Sequence, residues 1–586
     1  MLRHLFIIAL VLSGVCAAAP KLAAETPKAH PTASPARQWL RSLTLREKAA
    51  QLVIVPFYGD DLNSRTKAYA EYKRLVANVK IGGLILLNRV RLGAVEKARS
   101  HDVATFLNRM QRLAELPLLV GGDFERGASM RLLDTTEFPH AMAFGAAADL
   151  ALTRAWGAAT AREARALGVH WVYAPVADVN NNPDNPIINI RSFGEDPAMV
   201  SKHVQAFIEG AHSDPASRVL VTAKHFPGHG DTATDSHIGL GVVDASRERL
   251  ERVELAPFRA AIAAGVDSVM TAHLAVPALE TAKIPATTSP AILTGLLRGE
   301  LGFKGIVSTD AMDMQGLTKL FPPGEAAVRS LLAGADLLLI PADPDKAIQG
   351  VVEAVNSGRI SRARLDESVL RILEAKVRLG IQQSRYRDVE KLADNLNTPE
   401  DQALAANAAR AALTLVRNEG GLLPVRKPAG ACLYLLSGSR FSTQGRDLAA
   451  EIRRRVPGAR VQLLDPDLPA AELSSAAQAA SACEAAVVAS WVTASAYRGN
   501  VALAGGYPAF MEKLSATSTP VAFVSFGNPY LLRAFPWVKA YLAAFSTTAP
   551  SEAAALDALL GQTKVRGRLP VSIPGFAAIG DGLDLN

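Results

Sequence analysis

Eight short apolar runs recur along the first two thirds of the chain, at Leu52–Phe57, Gly83–Leu87, Pro117–Gly121, Val169–Val176, Val219–Ala223, Ser268–Ala272, Gly305–Ser308 and Leu337–Ile340. They are near-continuous rather than alternating, so each predicts a strand buried on both faces. The segments between them carry helical patterns. Eight strand–helix pairs predict a (β/α)8 barrel, with an open doubly wound sheet as the structural alternative.

Leu365, Val369, Ile372, Leu373 and Leu379 then trace one further helix, ended by Gly380. The stretch 382–400 is polar and irregular, as a linker would be. A second α/β pattern begins at Asp401, with apolar runs at Cys432–Leu436, Val461–Leu464, Ala485–Ala489, Val521–Phe526 and Ala540–Phe545. It predicts a second domain built on a parallel sheet, an α/β sandwich. The expected organisation is a barrel over 40–381, a linker over 382–400 and the second domain over 401–586.

Composition changes this picture little. Hydrophobic residues at 49% and charged residues at 20% of 586 positions describe a globular chain. The net charge of +7 is spread thinly, with no Lys/Arg cluster of the kind that grips nucleic acid. The N-terminus says more. Arg3 and His4 precede an apolar core, Leu5 to Leu12, and the small residues Ala17-Ala18-Ala19 follow. This predicts a signal peptide over 1–24, a flexible leader over 25–39, and an exported protein, periplasmic or extracellular. The apolar core is too short for a membrane span, and Val15 before Cys16 does not suit lipid attachment. Cys432 and Cys483 could bridge in an oxidising compartment, but both abut apolar runs and are expected as buried thiols.

Polar residues cluster just after the runs: Asp123 and Arg131, Asp178 and Arg191, Lys224 to His237, His273, and Asp310. In a barrel all of these gather at the C-terminal rim. The densest cluster is Lys224-His225-Phe226-Pro227-Gly228-His229-Gly230-Asp231-Thr232-Ala233-Thr234-Asp235-Ser236-His237. Asp235 and His237, two apart, point the same way in an extended loop, so the carboxylate can hold the imidazole in one tautomer. Cleaving an acetal needs one group to attack the anomeric carbon and another to protonate the leaving oxygen. Asp310 suits the first role, His237 the second, and Asp235 orients the imidazole. A histidine titrates near pH 6.5 and can donate, then recover, a proton at neutral pH.

These strings resemble glycoside hydrolase family 3, in its β-N-acetylglucosaminidase branch. Asn189-Ile190-Arg191-Ser192-Phe193-Gly194-Glu195-Asp196-Pro197 resembles the family's substrate-contacting Arg loop, and Ser308-Thr309-Asp310-Ala311-Met312-Asp313-Met314 its nucleophile motif. Asn418-Glu419-Gly420-Gly421-Leu422-Leu423-Pro424 and Gly567-Arg568-Leu569-Pro570-Val571-Ser572-Ile573-Pro574 are similar to the start and end of its second domain. The resemblance implies a retaining, exo-acting enzyme that releases terminal β-linked GlcNAc from peptidoglycan fragments or chitooligosaccharides. It implies Asp310 as nucleophile, His237 as acid/base with Asp235 behind it, and Asp123, Arg131, Arg191, Lys224 and His225 on the sugar. It implies no cofactor, and no catalytic residue from the second domain. His229 either shapes the loop or touches sugar, and His273 reads as structural.

Arg126 stands where many relatives have glycine, and with Phe124 it is expected to alter the rim around the sugar's far end. A His acid/base also leaves phosphate open as an acceptor in place of water. Three readings compete: a family β-glucosidase or β-xylosidase, a metal-dependent barrel hydrolase using His225, His229, Asp231, Asp235 and His237, and a non-catalytic cell-wall-binding protein.

Overall fold

The computed structural model describes residues 34–586 other than 61, 92, 93 and 496. The expected signal peptide, Cys16 and most of the leader lie outside the described residues.

All eight predicted barrel strands are present: β1 Val53–Phe57, β2 Gly83–Leu86, β3 Leu119–Gly122, β4 Trp171–Val172, β5 Leu220–Phe226, β6 Ser268–Thr271, β7 Ile306–Ser308 and β8 Leu338–Leu339. Each pairs in parallel with its sequence neighbour, and β8 pairs with β1. A bridge between Ser308 and Leu337 joins β7 to β8, so the ring closes and the open-sheet alternative falls away. Pro56 is the one strand residue that is not buried, which is why the runs were continuous rather than alternating.

The helices between strands begin where local chemistry starts them. Ahead of the helix Pro197–Ala211, Asp196 accepts from the Ala198 N–H and proline takes the first position. The last barrel helix, Arg362–Arg378, buries Lys376 completely, and its ammonium donates to Gln51 Oε1 at 2.7 Å. Burial, with the charge of Arg385, pulls that lysine down to about 7. After it, Leu392 and Leu396 fold back into the barrel core, so the connection to the second domain is anchored.

The second domain is a six-stranded sheet: β9 Thr414–Asn418, β10 Ala431–Leu436, β11 Arg460–Leu464, β12 Ala485–Ser490, β13 Val521–Ser525 and β14 Ala540–Ala543. Five strands are parallel, as expected, but β9 runs antiparallel along β14 at one edge. The sheet is therefore mixed. Only Thr414 and Leu415 of β9 are buried, and the strand ends in Arg417 and Asn418, so no apolar run marked it.

The expectation of two buried thiols is also corrected. Cys432 on β10 and Cys483 just before β12 form a disulfide, their Cα atoms 5.9 Å apart. The parallel register sets Cys432 opposite Ala486, which brings the turn carrying Cys483 alongside. The bridge was the alternative that an oxidising compartment left open, set aside because of the apolar runs beside each cysteine.

The two domains share apolar surface. Met142, Ala143, Ala146 and Ile190 of the barrel pack within a core cluster of the second domain. Asn180 Nδ2 donates to the Tyr530 hydroxyl at 2.9 Å, and the Glu195 N–H to Pro570 O at 3.0 Å. Among the described residues no helix is long and apolar enough to cross a membrane.

Candidate active site

A cavity of about 350 Å³ opens at the C-terminal ends of the barrel strands. Of the eight residues singled out from the sequence, seven line it: Asp123, Arg131, Arg191, Lys224, His225, His237 and Asp310. The eighth, Asp235, is buried behind His237.

The loop after β5 carries the acid–imidazole pair. Asp235 Oδ1 accepts from the His237 backbone at 2.9 Å and lies 2.8 Å from His237 Nδ1, which leaves Nε2 as the ring's free nitrogen. Burial disfavours the Asp235 carboxylate, yet the imidazole, the His237 N–H and the Tyr497 N–H together hold its pKa below the usual range. The loop's path needs its glycines. A side chain at Gly230 would strike Val179 O at 1.7 Å, and Gly228 sits at φ 129°. His229 shapes this loop: Nδ1 lies 2.7 Å from Thr232 Oγ1 and Nε2 lies 3.0 Å from Ser236 Oγ. Burial drops it to about 4, so it is neutral at physiological pH.

Asp310 follows β7 and accepts from the Ala311 N–H at 2.7 Å. Burial opposes its ionisation, but the imidazoles of His225 and His273, the Ala311 N–H and His237 outweigh that and keep its pKa lowered. A carboxylate held ionised is what nucleophilic attack requires. His273 is buried, bonded through Nδ1 to Thr287 Oγ1 at 2.8 Å and through Nε2 to Ala311 O at 3.0 Å. It braces the loop that carries Asp310, in line with the structural reading.

At the far end of the cavity the charges form a network. Asp123 takes Arg131 on Oδ2 and Lys224 on Oδ1, each at 2.7 Å. Lys224 also reaches Glu125 Oε1 at 2.6 Å. Arg191 is bidentate to Glu125, at 2.8 and 2.7 Å, and donates to Ile187 O at 2.8 Å. Burial disfavours the Glu125 carboxylate, but Arg191 and Lys224 drive its pKa well down.

Glu125 was given no role from the sequence, and Asp178, placed at the rim with Arg191, was given none either. Asp178 accepts from the backbones of His225 and His229 at 3.1 and 2.7 Å and lies 2.7 Å from His225 Nδ1. Its position after the fourth run was the available signal. Tyr497 is the larger omission. It comes from the second domain, lines the cavity, and places its ring 5.3 Å from that of His237. The segment around it, Thr493 to Gly499, is polar and irregular and gave no signal.

The rim expectation for Phe124 and Arg126 fails. Phe124 is wholly buried, its ring filling the space that a side chain at Gly122 would need. Arg126 does not line the cavity; its guanidinium sits among the charges of Glu137, Arg131 and Glu125. The five residues of the metal reading do not come together as a ligand set: among the described residues no three His, Cys, Asp or Glu side chains could hold one ion. His225 is engaged by Asp178, His229 by Thr232 and Ser236, Asp231 by Arg249 at 2.6 Å, and His237 by Asp235.

A carboxylate and a carboxylate-held imidazole on one barrel rim, with a charged network beyond them, are the parts of a glycoside-cleaving barrel enzyme. Comparison with known proteins agrees. The model of the glycosyl hydrolase family 3 N-terminal domain matches residues 44–375, and that of the family's C-terminal domain matches 413–579. Beta-hexosaminidase A of Pseudoalteromonas piscicida is 30% identical over 570 residues, covering 88% of this chain and 93% of its own length. The beta-N-acetylglucosaminidase/beta-glucosidase of Cellulomonas fimi is 31% identical over 556 residues, 90% of this chain and 93% of that one. The structure of a family 3 β-N-acetylglucosaminidase from Paenibacillus sp. str. FPU-7 superposes with a TM-score of 0.79 at 33% identity, over 91% of this chain and 99% of that one. The chain belongs to glycoside hydrolase family 3 and is a glycoside hydrolase.

Proposed function

We propose that the protein is a retaining, exo-acting β-N-acetylglucosaminidase, exported from the cell and acting on peptidoglycan fragments or chitooligosaccharides. The observation that carries this reading is His237, held by the buried Asp235, in the same cavity as an ionised Asp310. The names of the relatives support the acetamido sugar as substrate.

In the first step Asp310 attacks the anomeric carbon while His237 Nε2–H protonates the departing oxygen. A glycosyl ester on Asp310 and a neutral imidazole result. In the second step that imidazole takes a proton from the incoming water, which attacks the anomeric carbon and frees Asp310. Asp235 holds Nδ1–H throughout, fixing the tautomer and steadying the imidazolium. A neutral base spares the anionic nucleophile a second carboxylate beside it. Asp123, Arg131, Lys224 and His225 hold the sugar hydroxyls, with Arg191 and Glu125 setting their positions.

The test is hydrolysis of 4-nitrophenyl β-N-acetylglucosaminide against the β-glucoside and β-xyloside, with free sugar and sugar 1-phosphate separated among the products. Preference for the acetamido sugar, lost in both His237→Ala and Asp310→Ala, is the expected result. A preferred β-glucoside with His237→Ala still active would overturn it.

A further inference from the structure

A second hollow of about 500 Å³ adjoins the catalytic cavity and shares two residues with it, Asp313 and Ile340. Its walls come from the end of β1, the helix Lys67–Lys73 and the chain after β8, and include Tyr58, Tyr72, Pro341 and Pro344. The surface is mostly apolar, with two phenol rings, and the ring of Tyr58 is held flat by Arg89 stacked 4.3 Å from its centroid. Such a surface suits the C–H face of a pyranose, which is apolar while its edge is polar.

Two features mark the junction as built for a purpose. Ile340 adopts φ 47°, a left-handed conformation that a β-branched residue tolerates only when its surroundings impose it. Asp313 is exposed, faces both hollows, and makes no ion pair among the described residues. The other charges of the groove are already matched: Arg89 with Asp60, and Glu71 with Arg74. Its unbalanced charge is therefore one carboxylate.

Resting on the glycosidase reading above, we propose that this groove is the leaving-group subsite and that it takes an uncharged second N-acetylhexosamine. The Tyr58 face lies against that ring, and Asp313 accepts from its hydroxyl or acetamido N–H. A second sugar bearing a lactyl carboxylate would meet Asp313 with like charge and is disfavoured. The natural substrate class is then chitooligosaccharide rather than muropeptide.

The experiment compares kcat/KM for N,N′-diacetylchitobiose with that for N-acetyl-β-glucosaminyl azide, which has no leaving-group ring. The expected result is that the chitobiose-to-azide ratio falls about tenfold in Tyr58→Ala. It should fall similarly in Ala342→Trp, a substitution at an exposed position that fills the groove without touching the first cavity. Wild type should also favour chitobiose over GlcNAc-β-1,4-MurNAc, and Asp313→Asn should narrow that preference. Ratios unmoved in both groove variants, or a wild-type preference for the lactyl-bearing disaccharide, overturn the proposal. A wild type inactive on the azide as well as on chitobiose overturns the N-acetylglucosaminidase reading itself, which separates the two failures.

Discussion

The buried Oδ2 of Asp235 accepts a hydrogen bond of 2.8 Å from the backbone N–H of Tyr497, a residue 262 positions further on and in the other domain. The other oxygen of the same carboxylate holds His237. One side chain thus ties the His237 imidazole to the second domain.

Tyr497 sits at φ 66°, which glycine adopts without strain. Tyr497→Gly therefore keeps the N–H and removes only the ring beside His237. Aromatic packing of this kind is worth about 1 kcal/mol, so kcat/KM for the 4-nitrophenyl substrate should fall roughly threefold to tenfold. Asp235→Asn, which breaks the imidazole's support, should cost about a hundredfold or more. A Tyr497→Gly enzyme at full wild-type rate would show that the ring contributes nothing and leave the backbone N–H as the second domain's link to His237.

The two catalytic assignments predict opposite sensitivities to the leaving group. His237→Ala removes the proton donor, so 4-methylumbelliferyl or sugar leaving groups should lose about 10²–10⁴ in kcat/KM. A 2,4-dinitrophenyl leaving group needs no proton and should lose far less. Asp310→Ala should fail on every substrate alike. Equal losses across leaving groups in His237→Ala would place the acid/base elsewhere.

Lys376 gives a pH dependence of stability with a definite sign. Its folded pKa, about 7, lies below that of the unfolded chain, so between those values the unfolded state binds a proton that the folded state does not. This lysine's contribution to stability therefore rises with pH above about 7 and is at its most unfavourable below it. Lys376→Met should flatten the rise in thermal midpoint between pH 7 and 9, as followed by differential scanning calorimetry. Identical pH profiles for the two proteins would count against it.

The disulfide closes a loop across 51 positions, for which chain entropy predicts about 4 kcal/mol of stabilisation at most. Reduction, or the Cys432→Ser/Cys483→Ser pair, should lower the thermal midpoint of the second domain's unfolding. Mass spectrometry of protein secreted into an oxidising compartment should find both thiols blocked without added oxidant. Free thiols under those conditions would contradict the pairing.

Much of this was legible in the sequence for one physical reason. A barrel strand is buried on both faces, so its run is continuous and bounded, and all eight were found. The residues gathered at the rim were legible because they follow those runs. What escaped lacked such a marker. Strand β9 lies at an edge and ends in polar residues. Glu125 is two residues from the recognised Asp123, yet its burial between Lys224 and Arg191 depends on three separate loops. Tyr497 owes its place to domain packing, and a ring's presence near His237 has no local pattern. The failure of Phe124 has the converse cause: a position beside a site residue was taken as rim, while its side chain turns into the core.

The four barrel residues inside the second domain's core, Met142, Ala143, Ala146 and Ile190, bear on how such proteins can be recombined. A graft that exchanged second domains between two relatives at the connecting segment would leave these side chains facing a stranger's core. A functional chimera has to carry the helix Ala141–Ala147 and the turn holding Ile190 along with the domain they fill. The unit of inheritance is then discontinuous in sequence, even though the two lobes look separable along the chain.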